Sequence, residues 1–277
     1  MVTKLSLVAI LCIVSIVWMS CILFAYADQY RTLGIKHAEI PLVCIFEPDP
    51  LYTDDVDGVV QAAQNSVDLW QKKLYEYSQD GNWKLPVAVI PIEDHKYKAA
   101  VDFPMCNILI TYDFTNVESR SLGFTYIDFS KSWHKYTHIT VFLHDLQVIH
   151  NFDFDEGSSE GKYVSSSIKI EPFSIIAVQN ITTHEMGHAL GLGHYKITDY
   201  PIYTDDTPWL EASIMYYSIN PQVDIIAEPN YVDIKMMEKI YTADGFGGVP
   251  VVSIPKVGYY TAGNLEICTF KCNIFRQ

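Results

Sequence analysis

Residues 184–194 read HEMGHALGLGH. His184 and His188 are four residues apart, so on a helix they stand one turn apart on the same face, with Cβ atoms about 5–6 Å from each other. Two imidazoles placed in that way can meet one metal ion at about 2.0–2.1 Å. Glu185 is adjacent to the first histidine and projects to one side of the pair, where it can reach a water at the metal without being a ligand. Gly191 has no Cβ, so it can take a positive φ, end the helix and turn the chain back. His194 then arrives as a third nitrogen ligand. Three neutral nitrogens leave a fourth position for water, which is the pattern of a catalytic zinc site and not of a closed structural one. The competing reading is a helix whose histidines are satisfied by hydrogen bonds.

Those residues need a rigid support, and the rest of the sequence supplies the elements for one. Pro172 and Ser174 open a helix whose apolar residues Ile175, Ile176, Val178 and Ile181 lead into the histidines. A short apolar run at 39–47 reads as a buried strand. Behind Asp54, Asp55 and Asp57, Val56, Val59, Val60, Ala63, Val67 and Trp70 recur at helical spacing, which predicts a long amphipathic helix over about 54–79. The acidic cluster at its start offers oxygen ligands for calcium, but favourable interaction with the helix dipole explains it more simply. Strands are expected at 85–90, 107–112, 122–129 and 138–144. Residues 151–162 are polar and acidic and are expected to form a loop, a second place where calcium could bind. A last helix is expected at about 231–242, with Asn230 as N-cap and Gly245 beyond its end. The order strand–helix–strand followed by further strands indicates an α/β layer architecture.

Of 277 residues, 19 are Lys or Arg and 33 are Asp or Glu, a net charge of −14. Such a chain lacks the basic face a nucleic-acid binder needs. At 49% hydrophobic and 13% aromatic it is also far too apolar to be disordered. The first 27 residues carry one charge, Lys4, then an apolar run and Ala25-Tyr26-Ala27 as a cleavage site. They read as an export signal, with a retained membrane anchor as the alternative. Either places the remainder outside the cytoplasm, secreted or at the cell surface. Residues 28–38 read as a short leader, 39–245 as the main domain divided at about His194, and 246–277 as a tail. Cys44, Cys106, Cys268 and Cys272 lie beyond the signal, an even set that suggests disulfides. Pairing Cys44 with Cys106 would link neighbouring strands, and pairing Cys268 with Cys272 would close a terminal loop. A four-cysteine zinc site is the rival, although the spacing lacks paired CxxC knuckles.

HEMGHALGLGH resembles the HExxHxxGxxH signature of the metzincin zinc endopeptidases. Ser213-Ile214-Met215-Tyr216-Tyr217 fits that family's Met-turn. The resemblance covers about residues 39–245 and implies His184, His188 and His194 as ligands of Zn(2+), Glu185 as general base and Met215 as a packing floor. It also implies a twisted five-stranded mixed sheet, two long helices, a zinc cleft and a small C-terminal subdomain ending in a helix. The motif and the 231–242 helix look most like matrixins. Tyr195 after the third histidine and Tyr217 after the Met-turn depart from matrixins, and Tyr217 resembles the tyrosine of astacins and serralysins. That likeness implies a hydroxyl at the reacting carbonyl; the alternative is a tyrosine packed below the cleft. His134, His138, His144 and His150 do not reproduce the second zinc site of matrixins, and there is neither a cysteine-switch motif nor room for a folded prodomain. The implied partner is a protein or peptide substrate, aligned as an added strand along 122–129 or 138–144, with the enzyme acting as a monomer. The functions in other classes are a zinc-stabilised surface or adhesion module without activity and an exported metal-binding protein.

Overall fold

The structure is a computed structural model. It describes residues 32–96, 102–115, 121–130, 133–154, 161–194, 213–216, 218–219, 221–222, 224–247, 260–262 and 265–274. The expected signal or anchor therefore lies outside the described residues. Among the described residues, no helix is long and apolar enough to cross a membrane.

A mixed sheet carries the fold. Its first five strands are β1 (Val43–Phe46), β2 (Val87–Ile90), β3 (Ile108–Asp113), β4 (Ser121–Ser130) and β5 (Trp133–Phe142), in the order β2-β1-β3-β5-β4. β1 is parallel to β2 and β3, β3 is parallel to β5, and β4 alone runs antiparallel to its neighbour β5. This is the α/β fold expected from the sequence, with the expected five strands forming a mixed sheet that further strands extend past β4 to eight among the described residues. Alternation along the strands sends side chains to opposite faces. Val43, Ile45, Ile108, Ile110, Ile139 and Val141 face the main core. Cys44, Phe46 and Leu109 face the other way, into a smaller cluster with Phe103 and Cys106. That second cluster is stapled by a Cys44–Cys106 disulfide, as predicted, with Cα atoms 5.7 Å apart.

Helix α1 (Val56–Tyr77) buries Val59, Ala62, Ala63, Val67, Trp70 and Leu74 against the main core. Asp55 caps it by accepting from the Gly58 N–H, so capping accounts for this member of the acidic cluster without a bound ion. A one-turn helix α2 (Ile92–His95) follows β2. Helix α3 (Ile175–Ala189) is buried along nearly its whole length and is capped by Ser174. It packs on α1, where the Trp70 indole donates to the Thr183 carbonyl at 2.7 Å and the Ser66 hydroxyl to the Gln179 carbonyl at 2.9 Å. Helix α4 (Tyr231–Ile240) carries the predicted Asn230 cap within a full capping box closed by Asp233, and Gly245 beyond its end has φ +85°.

The structure changes or extends three readings of the sequence. Residues 151–162 are expected to form a loop, but 151–154 and 161–162 belong to the antiparallel strands β6 (His144–Phe154) and β7 (Gly161–Pro172), which form a separate two-stranded sheet. Residues 155–160, where a calcium loop would sit, lie outside the described residues. Ser165 to Ile170 are all exposed, so backbone pairing defines β7, and the apolar alternation that marks a half-buried strand is missing. Secondly, the leader 28–38 packs into the fold over its described part. Leu33 and Ile35 are buried with Ile127 and Phe129 of β4, and the Leu33 N–H donates to the Gly191 carbonyl at 2.8 Å. Thirdly, Cys268 and Cys272 both lie on a further strand, β10 (Leu265–Ile274). Four residues of extended chain span about 13 Å, well beyond the ~7 Å Cα separation a disulfide bridges. The tail is thus held by pairing with β4, with the two-residue strand β8 (Ser218–Ile219) and with β9 (Tyr260–Ala262).

The leader segment also brings two histidines into the interior. His37 stacks on His134 with ring centroids 4.1 Å apart, and its Nε2–H donates to the Ala189 carbonyl at 2.9 Å. Burial lowers the His37 pKa to about 4 and holds His134 well below the usual histidine value, helped by the neighbouring ring. A histidine depressed in the fold is neutral there but takes a proton once unfolded, so folding stability is full above about pH 6.5 and is lost as pH falls toward 4. Urea midpoints measured between pH 7 and pH 4.5 should therefore decline, and His134→Phe should flatten that decline. A variant slope equal to wild type would remove the pair from the acid response.

Candidate metal centre

The three histidines singled out in the sequence converge. His184 and His188 are fully buried on the last turns of α3, and His194 is partly buried beyond it. Their Nε2 atoms form a near-equilateral triangle: 3.1 Å between His184 and His188, 3.2 Å between His184 and His194, and 3.2 Å between His188 and His194. Tetrahedral ligands at 2.0–2.1 Å from one ion stand about 3.3–3.4 Å apart, so the triangle is close to what a metal requires. Among the described residues, this is the one group of three His, Cys, Asp or Glu side chains suited to holding a metal ion.

The hydrogen bonds behind the rings define their protonation. His184 Nδ1 lies 2.7 Å from the Ile214 carbonyl, and His188 Nδ1 lies 2.8 Å from the Leu192 carbonyl. A carbonyl only accepts, so each Nδ1 carries the proton and each Nε2 directs a lone pair inward. Burial lowers the His184 pKa to about 3, and it lowers that of His188 well below the usual value; the neighbouring histidines push in the same direction. The rings are thus neutral. Converging lone pairs repel one another unless a cation lies between them, and this donor set fits a divalent metal.

Local structure explains the convergence. Leu190 ends α3, Gly191 takes φ +105°, and the Leu192 N–H returns to the Gly187 carbonyl at 2.9 Å. A Cβ at Gly191 would meet the Ile35 carbonyl oxygen at 2.5 Å, so the leader segment closes over the turn that sends His194 back. On the other side, a Cβ at Gly187 would run into Met215 Sδ. Met215 is buried there, packed against the metal-site helix as the resemblance implied.

Glu185 is fully buried on the side of β4. Its Oε2 accepts from the Thr125 hydroxyl at 2.5 Å, whereas its Oε1 is buried with no hydrogen-bond partner. Gly123 leaves room for that oxygen, since a Cβ there would come within 3.1 Å of it. Burial pushes the carboxyl up to about 8, opposed by the Thr125 hydrogen bond. A divalent cation in the histidine triangle would pull it down again.

Two supports were not read from the sequence. Thr125 fixes the glutamate. Asp233, third residue of α4, reaches back to the Met215 loop: it pairs with the Ser213 hydroxyl and accepts from the Ile214 N–H at 3.1 Å. It also accepts from the Asn230 N–H at 2.9 Å, and the Ser213 hydroxyl oxygen accepts from the Met215 N–H at 3.0 Å. Because the Ile214 carbonyl holds His184, Asp233 orients a candidate metal ligand through one intervening residue. The Asn230-x-x-Asp233 spacing reveals a capping box but not this longer reach.

The other histidines have structural partners where they are described. His138 pairs with the Thr111 hydroxyl at 2.7 Å, and His144 stacks on Phe114 with centroids 4.1 Å apart. No cluster among the described residues forms a second site. The side chain of His150, Tyr195 and Tyr217 all lie outside the described residues.

No protein-family model matches the chain, and no curated protein is significantly similar to it. The centre therefore rests on its own geometry: a buried cluster of three histidines that could hold a metal ion, in an α/β fold. Asp233→Ala should weaken metal binding about 10–100-fold, the usual cost of removing a group that orients a ligand. Competition with a chromophoric chelator measures this, and an affinity equal to wild type would show that the Ile214 loop holds His184 without Asp233.

Proposed function

We propose that the protein is a zinc-dependent endopeptidase of the metzincin kind, exported from the cytoplasm and acting on protein or peptide substrates. One observation carries the reading: a buried carboxylate, Glu185, whose Oε1 has no partner, sits one residue from the first of three histidines whose Nε2 atoms converge. A purely structural metal site needs no such carboxylate, and burying one without a partner is costly. The HExxHxxGxxH spacing and the buried Met215 point the same way.

His184, His188 and His194 would hold the ion, which when bound lowers the pKa of water to about 7 and polarises a carbonyl. Three nitrogen ligands suit zinc better than calcium or magnesium, which prefer oxygen. Glu185 would take a proton from water as it attacks the peptide carbonyl and then deliver it to the leaving amine. Thr125 holds one carboxylate oxygen and so aims the other. Tyr217, two residues past Met215, would donate a hydrogen bond to the developing oxyanion. The Cys44–Cys106 disulfide is compatible with an oxidising, extracellular setting.

Glu185→Ala should lower kcat about 10²–10⁴-fold on a casein or generic peptide substrate while bound zinc stays at wild-type level. Equal loss of metal and turnover would make the residue structural. Tyr217→Phe should lower kcat about 10²–10³-fold with little change in KM, and wild-type kcat would return that tyrosine to packing.

A further inference from the structure

The chain carries an extended segment of its own across the candidate site. β10 runs antiparallel to β4 and in register with it: Phe270 stands opposite Thr125, Lys271 opposite Phe124 and Cys272 opposite Gly123. Thr125 and Gly123 are the two β4 residues that abut the Glu185 carboxylate. On its other edge β10 pairs in parallel with β8, Asn273 opposite Ser218 and Ile274 opposite Ile219, and β8 begins three residues after Met215. β10 is therefore seated between the strand that flanks the glutamate and the segment that follows the methionine loop.

We propose that β10 is a self-supplied peptide seated in the lane where a substrate strand would lie, so that residues 265–274 hold the full chain in a latent state. This inference rests on the endopeptidase reading. Its physical basis is backbone hydrogen bonding. β4 has two edges, and one is committed to β5. The remaining N–H and C=O groups can pair with one added strand at a time. An extended substrate aligned beside Glu185 needs the same groups that β10 uses. A tethered strand competes at an effective concentration in the millimolar range, so free substrate meets only the fraction of molecules in which β10 has left, and apparent affinity falls by that fraction. Pairing through the backbone also makes the block independent of sequence, and displacement or trimming of the tail would relieve it without any change at the metal ligands.

The test keeps the chain at full length and loaded with zinc, and compares wild type with the double variant Thr269→Pro/Phe270→Pro. Neighbouring N–H groups of a strand point to opposite edges, so one of the two prolines must delete a donor to β4. Hydrogen exchange over residues 121–130 reads the pairing, and kcat/KM on an unstructured reporter peptide reads access. The expected result is faster exchange in the β4 segment with at least a tenfold rise in kcat/KM. A synthetic peptide of residues 265–274 should then inhibit the variant in competition with the reporter. Unchanged exchange would overturn the proposal, because β10 would not be paired with β4 in solution. Faster exchange with equal kcat/KM in two active proteins would also overturn it, and would leave the endopeptidase reading intact. Faster exchange with no hydrolysis by either protein, at full zinc occupancy, would reject the endopeptidase reading and the latency together.

Discussion

Three imidazole Nε2 atoms brought to one point are the constraint on which the rest of the structure depends. Imidazole Nε2 atoms 3.1–3.2 Å apart, two of them on neutral rings, are unfavourable company without a cation, so the fold has to impose the arrangement from outside. It does so by committing Nδ1 of His184 and His188 to backbone carbonyls, each on a different loop. The Leu192 carbonyl is placed by the positive φ of Gly191 and by residues 32–35 lying over that turn. The Ile214 carbonyl is placed by Asp233 from the start of α4. Elements remote in sequence thus meet at one helix end, and burial keeps the His184 and His188 rings neutral and able to ligate.

The same packing gives the site two unlike walls. β4 provides Thr125 to hold one oxygen of Glu185 and Gly123 to leave space for the other. The Met215 segment closes the floor against Gly187. The carboxylate kept between them has a single fixed hydrogen bond, which orients it without consuming both oxygens. Edge strands are usually protected in some way. Here β10 covers β4 beside that carboxylate, so the strand that protects the edge also sits in the proposed substrate lane.

Much of this was legible in the sequence because the signals were local. Helical spacing from Val56 to Trp70, the Ser174 and Asn230 caps, the apolar strand runs, and His184, His188, His194 and Glu185 are all defined within a few residues of one another. The Cys44–Cys106 link was suggested by one cysteine within an apolar strand run and another at the start of a second run. What was not legible depends on long-range contacts or lacks an apolar pattern. β7 runs through Ser165, Ser166 and Ser167, which give no alternation to read. Lys36 and His37 are buried although such residues usually mark a surface, so the packing of the leader had no signal in its sequence. Asp233 reads as a helix cap, and its hold on the Ile214 loop exists only once the chain has folded. The pairing of β10 with β4 joins residues more than a hundred positions apart, and it overruled the tight loop that Cys268 and Cys272 suggested.

The most direct test of the metal centre is zinc stoichiometry, by atomic absorption, on purified wild-type protein and on His188→Ala, with proteolysis followed before and after chelation. One zinc per wild-type chain is expected, with loss of both metal and hydrolysis in His188→Ala. Chelator should abolish wild-type hydrolysis, and added zinc should restore it. Equal metal content in the two proteins, or hydrolysis that survives complete removal of zinc, would contradict a catalytic metal held by His184, His188 and His194.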